Sequence, residues 1–184
     1  MPRTPGTCIR IAFAVMLGIS AAAAQDPIET RGAWRLMPDG EDFALRTSAV
    51  EASETTFSLY CRKEQQRYAF EIKSPALAGR ASGEDIRISF KVDDDDQTWF
   101  NIATGPEGTV PISHQTPFWI IHAAITRNDA KRVAFTAADH ASLFSLEGLR
   151  DLTDSLTARC GFDPPRVRFE RRRDRPALDA LPKQ

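Results

Sequence analysis

The side chains with the types to do chemistry are few and scattered in this sequence. Asp93 to Asp96 form a run of four carboxylates, and clustered carboxylates suit a hard cation such as calcium. The run lacks the spaced ligand positions and the central glycine of a calcium loop, so it reads as a solvated hairpin turn and no metal site is assigned to it. His114, His122 and His140 lie far apart, with neither the i, i+4 spacing of a zinc helix nor a companion cysteine pair. Each reads as a surface or hydrogen-bonded histidine. His122 stands out because it lies inside the apolar run PFWIIHAAI, where its ring would need a buried partner.

Covalent chemistry has less support still. The sequence has no G-x-S-x-G nucleophile elbow and no glycine-rich loop opening a helix. Aspartate and glutamate together number 25, yet nothing singles out a pair for glycoside cleavage. Cys61 would be a nucleophile only as a free thiolate. No catalytic, cofactor-binding or metal-ligating residue is therefore assigned, and no cofactor is expected. The candidates for ligand contact are surface groups. Trp34, Trp99 and Trp119 could line a sugar or peptide groove, although a strand tryptophan is more often core or rim packing. Arg171, Arg172, Arg173 and Arg175 could touch an anionic surface, or simply be solvated.

The N-terminus indicates where such groups would operate. Arg3 and Arg10 precede the apolar run from Ile11 to Ala24, which gives way to polar QDP; this is the layout of a secretory signal peptide, with cleavage expected after Ala24. The run is too short for a transmembrane helix, which needs about 20 apolar residues. Cys8 precedes the apolar run and would leave with the leader, so it is not a lipid-anchor cysteine. Cys61 and Cys160 then remain as an even pair in an oxidising compartment, where one disulfide is the only connectivity. Loss of the two leader arginines takes the net charge from −1 to −3. A periplasmic location is expected, possible release from the cell is left open, and export argues against nucleic acid as a partner.

The elements that would position these groups are mostly strands. TTFSLYCRK, RYAFEIKS and IRISFKV alternate apolar and polar residues with period two, as strands with one wet face do. The acidic turn separates IRISFKV from TWFNIAT, which predicts a hairpin. Further strands are expected at AWRLMP, FALRT and KRVAFTA, while PFWIIHAAI fits a buried strand or a short buried helix equally well. The fold class expected is mainly β: an antiparallel β-sandwich or partly open barrel with one C-terminal helix packed on the sheet. For that helix, Ser145 is the expected N-cap, Leu146, Leu149, Leu152, Leu156 and Cys160 form the buried face, and Gly161 is the stop. Residues 25–162 form the β-rich domain. Residues 163–184 form a basic tail with seven basic and four acidic residues, broken by Pro164 and Pro165 and expected to be flexible.

The motifs LYCRK, the tryptophan strand after a charged hairpin, and FSLEGL leading to cysteine together resemble small bacterial envelope proteins. The chain is similar to the accessory proteins of type VI secretion at Leu59, Cys61, Trp99, Phe144, Leu146, Gly148, Leu149 and Cys160, and it also resembles the invasion-associated locus B family. The resemblance implies an envelope binding or assembly protein with no cofactor. The leading expectation is a non-enzymatic periplasmic protein that binds another envelope or secreted protein, or cell-wall glycan. The alternatives are a periplasmic hydrolase and a secreted inhibitor of a host or competitor enzyme. The oligomeric state is not legible.

Overall fold

A computed structural model describes residues 26–113, 116–137 and 139–163. The expected leader, Cys8, His114 and the basic tail beyond Asp163 lie outside the described residues.

Among the described residues, ten strands and two α-helices follow one another. They are β1 (Glu29–Arg31), β2 (Trp34–Asp39), β3 (Asp42–Ser48), β4 (Thr56–Arg62), β5 (Arg67–Lys73), β6 (Asp85–Val92), β7 (Thr98–Ala103), β8 (Thr109–Ser113), α1 (Thr116–Ile125), β9 (Arg132–Ala137), β10 (His140–Ser145) and α2 (Leu149–Cys160). The strands form two antiparallel sheets: a six-stranded sheet in the order β1-β2-β3-β4-β5-β8 and a four-stranded sheet in the order β10-β9-β6-β7. Neither closes into a barrel. Val50 N–H donates to the Leu143 carbonyl at 2.8 Å and ties the two sheets along one side.

Alternation sets which residues meet. In the first sheet Leu36, Leu45, Leu59, Phe70 and Ile112 face one another across five strands, so one apolar residue from each strand falls in a single inward row. In the second sheet Phe90 faces Phe135, and Val133 faces both Val92 and Phe144. Phe57 joins the two layers, with its ring 5.6 Å from Trp34, 5.3 Å from Phe70, 4.9 Å from Phe135 and 5.6 Å from Phe144. Offset and edge-on aromatic contacts of this kind add to the burial that drives the sheets together.

The ambiguous run PFWIIHAAI is a helix. Pro117 stands in the first turn of α1, where a missing N–H costs nothing, and Phe118, Ile121 and Ile125 are buried at helical spacing. Phe118 packs its ring 4.8 Å from Phe70. The second helix buries Leu149, Leu152, Leu156 and Cys160 of the expected face, while Leu146 is buried just before the helix begins, and it lies against β1 to β4. Its start differs from expectation: Ser145 is the last residue of β10, and the N-cap is Gly148. Strand pairing of Ser145 with Arg132 holds the serine in the sheet, and its hydroxyl accepts from the Glu147 N–H at 3.2 Å. Gly148 has φ of 86°, and a Cβ there would lie 2.0 Å from the Arg31 carbonyl oxygen, so no other residue fits. Gly161 closes the helix in the left-handed conformation, as the sequence indicated.

Cys61 on β4 and Cys160 at the end of α2 form a disulfide. Tyr68 extends the same corner: its hydroxyl donates to the Phe162 carbonyl at 2.9 Å and its ring lies 5.1 Å from that of Phe162. Among the described residues no helix is long and apolar enough to cross a membrane.

Candidate binding surface

The three tryptophans have three different fates. Trp34 was a candidate for ligand contact, but it is fully buried and its Nε1–H donates to the Ser145 carbonyl at 2.9 Å. It serves the core, because the residue faces inward at the start of β2 and the second sheet covers it. Trp119 is half-buried on α1 with its ring edge-on to Phe118, 4.7 Å away. Trp99 on β7 is 46% exposed and, among the described residues, is the one aromatic in the exposed large apolar set, alongside Ile28 and Val50. Arg171, Arg172, Arg173 and Arg175 lie outside the described residues.

Trp99 owes its position to strand alternation. On β6 the inward set is Ile86, Ile88, Phe90 and Val92, which leaves Arg87, Ser89 and Lys91 on the outer face, where Ser89 is itself covered; on β7 the same face takes Trp99 and Asn101. Arg87 pairs with Asn101 and Ser89 with Trp99, so Arg87 and Trp99 are diagonal neighbours. The guanidinium carbon of Arg87 lies 4.3 Å from the centre of the indole, a cation–π contact. Thr136 on β9 faces Ser89 and continues the row Thr136, Ser89, Trp99 across three strands.

This row borders an open depression of about 390 Å³ lined by Arg80, Asp85, Arg87, Trp99, Thr136 and Asp139. Arg80 is held by an ion pair with Glu84. Among the described residues no carboxylate comes within ion-pair distance of Arg87, so its charge is offered to the indole and to solvent. The site therefore combines an aromatic face, two guanidinium groups, two carboxylates and a hydroxyl. Such a set can stack on a flat apolar surface and hydrogen-bond its polar rim, as sugar and peptide recognition require.

The other groups that could do chemistry are placed elsewhere. Asp93 clamps the start of β9: its Oδ1 accepts from the Arg132 N–H and its Oδ2 from the Lys131 N–H, both at 3.0 Å. Asp95 pairs with Arg127 at 2.8 Å. The acidic run is a turn with two anchored members, and among the described residues no group of three His, Cys, Asp or Glu side chains could hold a metal ion. His140 is exposed. His122 stacks on Phe118 with ring centres 5.7 Å apart. Its buried Nε2 has no hydrogen-bond partner among the described residues, in contrast to the expectation, and burial lowers its pKa from the ordinary value.

Arg80, Asp85, Arg87, Thr136 and Asp139 were not singled out in the sequence. The outward direction of Arg87 was readable from alternation, but its neighbours depend on the strand order β9-β6-β7. Comparison of the chain with protein-family models, curated proteins and solved structures returned no match.

Proposed function

We propose that this chain is an exported envelope protein that works by binding. The depression around Trp99 and Arg87 takes a surface segment of another envelope or secreted protein, or of cell-wall glycan. The observation that carries this reading is Trp99 itself, an indole left 46% exposed beside an arginine that no carboxylate neutralises among the described residues. Exposed aromatic and arginine side chains are the usual anchors of recognition surfaces. The depression is open to solvent, and a covering partner suits it better than an enclosed small molecule. The disulfide supports an oxidising compartment, and the N-terminal sequence supports export.

A photo-reactive amino acid at position 101, beside Trp99, tests the proposal in intact cells, with the same group at the exposed turn position 64 as control. Capture of one stoichiometric protein or of wall fragments from position 101 alone is the expected result. Equal, unselective labelling from both positions would overturn it.

A further inference from the structure

The outer face of the first sheet carries three directly opposed like-charged pairs, Asp39–Asp42, Arg62–Arg67 and Arg35–Arg46, and among the described residues only the last has no member in an ion pair. Asp39 and Asp42 sit directly opposite one another at the β2–β3 hairpin. Arg62 on β4 bridges both, with Nη1 2.8 Å from Asp39 Oδ2 and 3.1 Å from Asp42 Oδ2. Further along the same two strands, Arg35 and Arg46 also sit directly opposite one another. Like charges in that position repel and destabilise the pair. Yet among the described residues no carboxylate lies within ion-pair distance of either arginine.

Arg46 is nonetheless held in place. Its Nε donates to Ser58 Oγ at 3.1 Å and its Nη2 to Tyr60 Oη at 3.1 Å. Both acceptors are neutral; the Tyr60 hydroxyl donates to Glu71 Oε1 at 3.1 Å, so Glu71 reaches the guanidinium only through the phenol. These bonds orient the cation and leave its charge unmatched. Arg35 is exposed. The two arginines line an open depression of about 280 Å³ together with Met37 and Ser48, both of which alternation places on the same outer face.

We infer that this depression is a binding site for the phosphoryl group, taken between the Arg35 and Arg46 guanidinium groups with the Ser48 hydroxyl beside them. A phosphate dianion matches two cations in charge, and its oxygens accept the paired N–H donors that each guanidinium presents. A single carboxylate would leave one arginine uncompensated. The site lies on the opposite sheet from Trp99 and does not depend on what binds there. The phosphoryl group belongs to a free phosphate species or to a phosphomonoester lipid headgroup, which share this dianionic chemistry.

Titration of the chain from Gln25 onward with inorganic phosphate at constant ionic strength, followed by NMR shifts of the Arg35 and Arg46 side chains, tests the site. A parallel arm measures co-sedimentation with phosphatidic acid vesicles against phosphatidylcholine vesicles. Arg35→Gln is the test variant, since its side chain is exposed and its loss spares the core. Arg62→Gln removes the same charge from the same face and is the control. Saturable binding in either arm, weakened at least tenfold by Arg35→Gln and less than twofold by Arg62→Gln, is the expected result; the arm that responds identifies the source. No saturable response in either arm, or an equal loss in both variants, would overturn the inference.

Discussion

The indole N–H of Trp34 donates to the backbone carbonyl of Ser145 at 2.9 Å, joining residues 111 positions apart in the chain. The bond ties the start of β2 to the end of β10, and so links the first sheet to the second just before the chain turns into α2. Trp34→Phe keeps a ring against Phe57 but leaves the Ser145 carbonyl without this donor. A buried acceptor that loses its partner costs about 1–3 kcal/mol, and a loss of about 2 kcal/mol in urea unfolding is expected with an unchanged m-value. A change below about 0.5 kcal/mol, the scale of ordinary surface substitutions, would show that the bond is dispensable.

Two left-handed glycines bracket α2, and their surroundings make them unequal. At Gly148 a Cβ would meet the Arg31 carbonyl oxygen at 2.0 Å, whereas at Gly161 nothing lies within 4 Å. Both substitutions to alanine carry the left-handed penalty of about 1–2 kcal/mol, but only Gly148→Ala must also push the β1–β2 turn away. Thermal unfolding should therefore separate the two, with Gly161→Ala losing a few degrees and Gly148→Ala at least twice as much. Equal losses would mean that the turn yields freely.

The Cys61–Cys160 disulfide closes a loop across a separation of 99 residues. In the chain-entropy account such a loop restricts the unfolded chain by up to about 4.7 kcal/mol. The paired replacement of both cysteines by alanine should lower the denaturant midpoint strongly while leaving the sheet circular dichroism in place at low denaturant. Alkylation of the unfolded, unreduced chain from Gln25 onward should label no thiol. Two labelled cysteines would refute the pairing.

Much of the scaffold was legible before the structure, and the exceptions have physical causes. β4, β5 and β6 declare themselves because each alternates apolar and polar residues, although Ser58 and Tyr60 on the polar side of β4 are buried as well, and the acidic turn marks the β6–β7 hairpin. β8 escaped because TVPIS is five residues long and contains Pro111, which is tolerated at the free edge of the sheet. β10 escaped because Leu146 stands three residues before Leu149 and extends the leucine spacing of α2 backward into what is strand and turn. The binding surfaces were less legible still. Trp99 was a candidate by type, but its pairing with Arg87, and the opposition of Arg35 to Arg46, depend on register, which a single strand read alone does not contain.

His122 makes the stability of the domain depend on pH in a definite direction. Its Nε2 is buried without a hydrogen-bond partner among the described residues, and the rings of Phe118 and Phe70 lie 5.7 Å and 6.3 Å from its own. Desolvation lowers its pKa below the ordinary 6.5, so the folded protein holds the neutral imidazole. As pH falls through the unfolded value, the unfolded chain takes up a proton that the folded chain refuses. Stability from this residue is thus present above about pH 6.5 and declines below it until the lowered folded pKa is reached, with a limiting slope of about 1.4 kcal/mol per pH unit. His122→Leu should flatten the difference in unfolding free energy between pH 7.5 and 5.5, since carboxylates titrate mostly below that range and remain in both proteins. A variant that keeps the full wild-type pH slope would show that the imidazole protonates freely in the folded state, by reaching water from its position beside Phe118 and Phe70.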